Sequence, residues 1–140
     1  MKKTAEVFLI IGIVEGFVTA ALCIVFGILG VAFGSGSYHA DIIKLIQEGQ
    51  ITIPTGKTIE ETAVLVERAL TTVGAFSFIG AFCAVACGVL SIYTRNSIAK
   101  EDDKAKVFSI VSIVFGAIGC IPATLVGGIL GTIYTSKKKL

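Results

Sequence analysis

The chain has no tryptophan, one methionine, one histidine and two prolines among its 140 residues, and none of its four cysteines stands in a connection between apolar runs. Each shortage excludes something. Cys23, Cys83, Cys87 and Cys120 all lie inside apolar stretches, so a disulfide-stapled ectodomain is excluded. Cys83 and Cys87 share a helix face, but with His39 alone in a distant loop a zinc site there lacks its remaining ligands. Small, polarizable packing is the expected role of these thiols. Serines and threonines are scattered through apolar runs and helix starts, and no nucleophile–base–orienter set can be assembled from them. The Gly-Ser stretch at 34–37 precedes no strand–helix pattern, so it is not a nucleotide loop. A net charge of +2 gives nucleic acid no electrostatic footing. No enzymatic activity, metal or cofactor is expected.

Apolar length is what the chain has in abundance. It is 54% hydrophobic, with a mean hydropathy of +0.90. Runs over residues 7–33, 72–93 and 107–134 each exceed the roughly 20 residues that carry a helix across a ~30 Å hydrocarbon core. Charges are almost wholly confined to the connections, and a lipid bilayer is the expected surrounding. The first run is expected to be an uncleaved span, because it continues to Phe33, far beyond the hydrophobic core of a signal peptide.

These runs predict an all-α integral membrane bundle, a single membrane domain over 1–140. Spans fall at about 6–34 and 62–94, the second within a helix that starts at 58, and the last apolar segment covers 107–135. The loop at 35–58 holds a short amphipathic helix at 41–48, with Ile42, Ile43, Leu45 and Ile46 on one side and Gly49 at its end. It is expected to lie on the membrane surface or cap the bundle. Thr58-Ile59-Glu60-Glu61 fits a capping box, and no breaker follows until about Asn96. The connection at 95–106 carries charges of both signs, and Asp102 or Asp103 is expected to cap the helix after it.

Two structures suit the last segment. One is a single tilted span kinked at Pro122. The other, preferred, is a re-entrant or short-helix hairpin turning near Gly119–Pro122. The preference comes from charge. Lys2 and Lys3, the group Arg95, Lys100, Lys104 and Lys106, and Lys137 to Lys139 form three basic clusters, whereas the 35–58 connection has only Lys44 and Lys57. The positive-inside rule places all three clusters in the cytoplasm, with the N-terminus inside and the 35–58 loop outside. The tail can return there only if the last segment doubles back. Each arm would then span only ~21 Å, which demands burial against neighbouring helices.

Small residues recur at steps of three and four. The first span carries Gly12, Gly16, Thr19, Cys23, Gly27, Gly30 and Gly34, and the second Gly74, Ser77, Ala81, Ala84, Gly88 and Ser91. The last segment carries Ser112, Gly116, Gly119, Ala123 and Gly127. In lipid such rows allow helix backbones to approach closely, leaving Phe, Leu and Ile for the bilayer. Self-assembly would need a second face, such as Cys120, Thr124, Gly128 and Thr132. Glu15 is the exception within the first span: a carboxylate about 12 Å deep, on the face between Gly12 and Gly16. At that depth it costs several kcal/mol unless paired, hydrated or protonated.

The opening MKKTAE with its glycine-punctuated span, and the ending AKVFSIVSIVFGAIGCIPATLVGGILGTIYTSKKK, resemble small multi-span membrane proteins of Gram-positive bacteria. The resemblance covers roughly the first and last thirds and implies a short Gly/Ile-rich C-terminal hairpin bearing a proline and a basic tail. It implies a topology and no activity, and the 35–58 loop is longer than it would suggest. Animal four-span junction proteins look similar at first sight, but their extracellular Trp and paired Cys are missing here. The expected function is therefore a helix-packing subunit, forming a homo-oligomer or serving a larger membrane-protein partner. The alternative is an ion channel or proton/cation carrier with Glu15 as its site.

Overall fold

The computed structural model describes residues 1–138, apart from the side chain of Lys138; Lys139, in the third basic cluster, lies outside the described residues. The described residues form five helices and no strand: α1 (Lys2–Gly34), α2 (His39–Gln47), α3 (Ile59–Lys100), α4 (Ala105–Ile118) and α5 (Pro122–Lys138). Helices α1 and α3 are long and apolar enough to cross a membrane, with mean hydropathies of 2.5 and 2.2 over their most apolar 18 residues. Only 22% and 28% of those windows is buried within the protein, so neither is the enclosed helix of a water-soluble core.

Helix α3 begins where the capping box places it. The Glu61 N–H donates to the Thr58 hydroxyl at 3.2 Å, and the Thr58 N–H donates to the Glu61 carboxylate at 3.0 Å. It runs on past Asn96 to Lys100, because Asn96 and Ser97 remove no backbone donor. Its end is a Schellman turn: Glu101 adopts φ +57°, the Asp102 N–H donates to Ser97 O at 3.0 Å and the Glu101 N–H to Ile98 O at 3.2 Å. Neither Asp102 nor Asp103 caps α4, whose first turn has no side-chain cap. Asp102 instead accepts the Lys104 N–H at 3.1 Å within the connecting turn.

The last apolar segment is a helical hairpin, not one kinked helix. Cys120 takes φ +52° and the Ile121 N–H donates to Gly116 O at 3.0 Å, closing α4 in a second Schellman turn. Pro122 then opens α5 at the first helical position, where its missing N–H has no partner to lose. The arms lie antiparallel, since a Cβ on Gly116 would stand 2.7 Å from Leu125 N and one on Gly128 2.7 Å from Ser109 O.

The residues divide into two compact units, each drawing on both long helices: Met1–Leu22 with Gly80–Leu140, and Cys23–Ile79. In the first unit, Ala5, Leu9, Ile98 and Ala105 form one buried cluster and Ala20, Ala84, Cys87 and Ile121 another. A Cβ on Gly16 would stand 2.8 Å from Ala84 O and 2.9 Å from Gly88 N. Buried hydroxyls pair across helices, Ser91 with Thr124 at 3.0 Å and Thr94 with Ser112 at 2.7 Å. Of the second face named for self-assembly, Thr124 and Gly128 are occupied inside the unit, whereas Thr132 is half-buried and Cys120 exposed.

In the second unit a Cβ on Gly30 would stand 2.8 Å from both Leu70 O and Gly74 Cα. Helix α2 buries Ile42 and Ile46 against Ala63, with Ile43, Ile51 and Val66 partly covered. Leu45, expected on the same side, is exposed. A nine-residue helix turns only an i, i+4 edge to its neighbour, and Leu45 falls outside that edge. Gly49, at φ +75°, ends α2 in a third Schellman turn, its N–H on Ile46 O and that of Gln50 on Leu45 O.

Apart from Leu9, Ile98 and Ile121 and the α2 isoleucines, the buried positions are mostly small residues, and many large apolar side chains of α1 and α3 lie outside. Phe82 is 75% exposed and Phe76 67%, while Gly12, Gly16, Gly27, Gly30, Gly74, Ala81, Ala84, Gly88, Gly116, Ala123 and Gly127 are buried; Ser77 and Gly119 are half-buried. Replacing Gly30 with Val is expected to cost roughly 1–3 kcal/mol, the usual penalty of overpacking a tight contact. The exposed Ala75 replaced by Val should change stability by less than about 0.5 kcal/mol. Reversible unfolding in mixed micelles measures both, and equal effects would refute the close approach at Gly30.

Candidate functional site

Glu15 lies on α1 beside the two glycines that admit other helices. A Cβ at Gly12 would meet Thr124 and Ser91, and one at Gly16 would meet Ala84 and Gly88, so α3 and the start of α5 lie against this part of α1. The half-buried Glu15 carboxylate accepts the backbone N–H of Ala123 at 3.2 Å. Ala123 is the second residue of α5 and carries its first N–H, because Pro122 has none. Glu15 therefore caps α5 from a different helix. It supplies the acceptor that a side chain at the N-cap would normally provide, and that position holds the apolar Ile121.

The turn that precedes α5 is served from several sides. The buried Cys87 thiol donates to Phe115 O at 3.1 Å, while the Gly119 N–H bonds to Phe115 O and the Ile121 N–H to Gly116 O. The cysteines are dispersed: Cys87 is buried, Cys23 and Cys83 are half-buried and Cys120 is exposed at the turn. No group of three or more His, Cys, Asp or Glu side chains able to hold a metal is found among the described residues. Near the α3–α4 turn, Glu101 accepts from Lys2 Nζ at 3.4 Å and from the Tyr134 hydroxyl at 3.1 Å, joining α1 and α5 to that corner.

A second polar cluster belongs to the unit Cys23–Ile79 and was not foreseen from sequence. His39, read from sequence as a lone loop residue, sits at the first position of α2 with both ring nitrogens engaged. Nδ1 lies 2.8 Å from Glu67 Oε1 and Nε2 2.9 Å from Glu60 Oε1. Only the doubly protonated ring can donate to both carboxylates. The hydrogen bond to Glu67, then that to Glu60, raises the His39 pKa above the ordinary histidine range. The available signal was the seven-residue spacing of Glu60 and Glu67, which puts both on one helix face.

Comparison with known proteins finds no matching family model, no matching curated protein and no matching solved structure. The sites therefore rest on their own geometry. Replacing Glu15 with Ala leaves the Ala123 N–H without its acceptor and is expected to cost about 1–2 kcal/mol, as the loss of a helix N-cap does. Gln keeps an acceptor oxygen and should cost less than Ala. Unfolding in micelles ranks the two, and an Ala variant as stable as the native chain would refute the capping role.

Proposed function

We propose that this is a multi-pass membrane protein without enzymatic activity, working as a helix-packing subunit of a larger membrane complex. The observation that carries this reading is the inverted distribution of side chains. Glycine, alanine and hydroxyl residues occupy most of the interior, while most large apolar side chains of α1 and α3, Leu9 and Ile98 excepted, point outward. In the unit Cys23–Ile79, Cys23, Phe26, Leu29, Gly30, Phe33, Leu70, Val73 and Ser77 line a groove of about 290 Å³ between α1 and α3. A partner's transmembrane helix fits such a groove through bulky side chains. Tight self-association over small residues is disfavoured, because those rows are already consumed within the chain.

In this reading both termini are cytoplasmic and the α4–α5 hairpin is re-entrant. Helices of 14 and 17 residues reach only about 21 and 26 Å, short of a ~30 Å hydrocarbon core. Backbone that turns at membrane depth is tolerated only where protein satisfies it, and the Glu15 cap answers that need. The carboxylate thus has a structural task, and the carrier alternative gains no support from its geometry.

Two measurements follow. Extracted in mild detergent from native membrane, the protein is expected to travel with a second polypeptide; a strictly monomeric particle that co-purifies with nothing would count against the subunit reading. In a background without native cysteines, probes at the exposed Lys104 and Lys137 positions should react from the same side of intact cells. Reaction from opposite sides would make the last segment a full crossing.

A further inference from the structure

Helix α2 rests on one small apolar cluster. Two buried isoleucines rest on Ala63, and glycines with left-handed backbone, Gly36, Gly49 and Gly56, stand in the connections on both sides, each with open space around its Cα. The polar tie of this short helix to α3 is His39, bonded to Glu60 and Glu67. The geometry runs against local preference, since a cation at a helix N-terminus opposes the helix dipole. The two carboxylates of α3, not α2 itself, keep the ring charged. Glu67 is the more enclosed partner, its side chain 14% exposed against 68% for Glu60.

We propose that His39 is a proton-operated latch: its imidazolium clamps α2 to α3, and α2 is released when the ring loses its proton. A neutral imidazole has one N–H, so one of the two carboxylates would then face a nitrogen lone pair. That replaces an attraction by a repulsion, across 2.8 or 2.9 Å. The other charged groups are few. On α2 they are Asp41, Lys44 and, at its end, Glu48; residues 24–34 of α1 offer none. On α3 and just before it, Lys57, Glu61 and Arg68 line the same clefts as Glu60 and Glu67, and the Glu61 carboxylate is engaged by the Thr58 N–H. Loss of the clamp would leave α2 to its apolar contacts, between connections that carry the left-handed glycines.

The sign follows from linkage. The docked ring binds its proton more tightly than a free histidine, so the clamp is complete below the ordinary histidine pKa of about 6.5 and is lost as pH rises through the raised value. Docking should weaken by about tenfold for each pH unit that separates the docked titration from that of a free histidine.

The chain has one histidine, so in the untagged full-length protein a ¹⁵N-imidazole signal reports His39 alone. Hydrogen exchange of the α2 amides in nanodiscs, scaled for intrinsic exchange at each pH, reports docking. The expected result is that α2 protection falls over the same pH interval in which the imidazole titrates, above the free-histidine range. His39→Gln should abolish that pH dependence, Glu67→Gln should lower the imidazole titration, and Glu60→Gln should lower it less. Unchanged protection on the two sides of the titration, or an identical pH profile in His39→Gln, would overturn the latch. Glu67→Gln retains the histidine, so it keeps the test open if His39→Gln proves unstable.

Discussion

Where Gly16 meets Ala84 and Gly88, and where Gly30 meets Leu70 and Gly74, a methyl group would stand under 3 Å from backbone atoms of the neighbouring helix. The absence of Cβ at those points sets how near α1 and α3 come, and much else follows from it. A close approach over small residues gives dispersion contact without large apolar side chains between the helices. The large side chains are therefore displaced outward, where water would be a poor solvent for them and hydrocarbon a good one. In the unit that holds the chain's C-terminal hairpin, the same economy of volume lets Gly127 pack on Leu9 and Gly131 on Ile98 and Ser109.

Close packing of this kind leaves polar groups that must be paired inside. Among the described residues no buried side-chain nitrogen or oxygen lacks a partner. Serine and threonine solve the problem by bonding across helices or back to their own helix, as Thr94 and Ser109 do. The start of α5 is harder. Proline removes one donor there, and Glu15 accepts the next from 108 residues away in sequence. A carboxylate in an apolar helix thereby becomes a structural element.

Much of this was legible in the sequence. The three small-residue rows were found because their three-and-four spacing survives any arrangement of the helices, and the capping box at Thr58 because it is local. The hairpin was favoured from the placement of lysines, and its turn was located near Gly119–Pro122. Less was legible wherever two distant segments meet. Glu15 stood out, but the N–H it accepts could not be read from a linear pattern. His39 looked alone because its carboxylates lie 21 and 28 residues away. The left-handed backbone of Glu101 and Cys120 could not be read, since glycine, the residue that signals it, is absent at both positions, although the turn around Cys120 was itself placed. Leu45 was misplaced because a full apolar face was assumed where only a narrow edge is covered.

The central claim is that small residues face inward and large apolar residues face lipid. Spin labels placed singly at Phe76, Phe82 and Ile118, and at Ala84 and Ser91, in protein reconstituted into bilayers test it most directly. The account predicts that the first three collide with dissolved oxygen and are shielded from a water-soluble nickel relaxant, and that the last two are shielded from both and perturb packing. Strong nickel relaxation at Phe76 and Phe82 would contradict it, because those side chains would then face water.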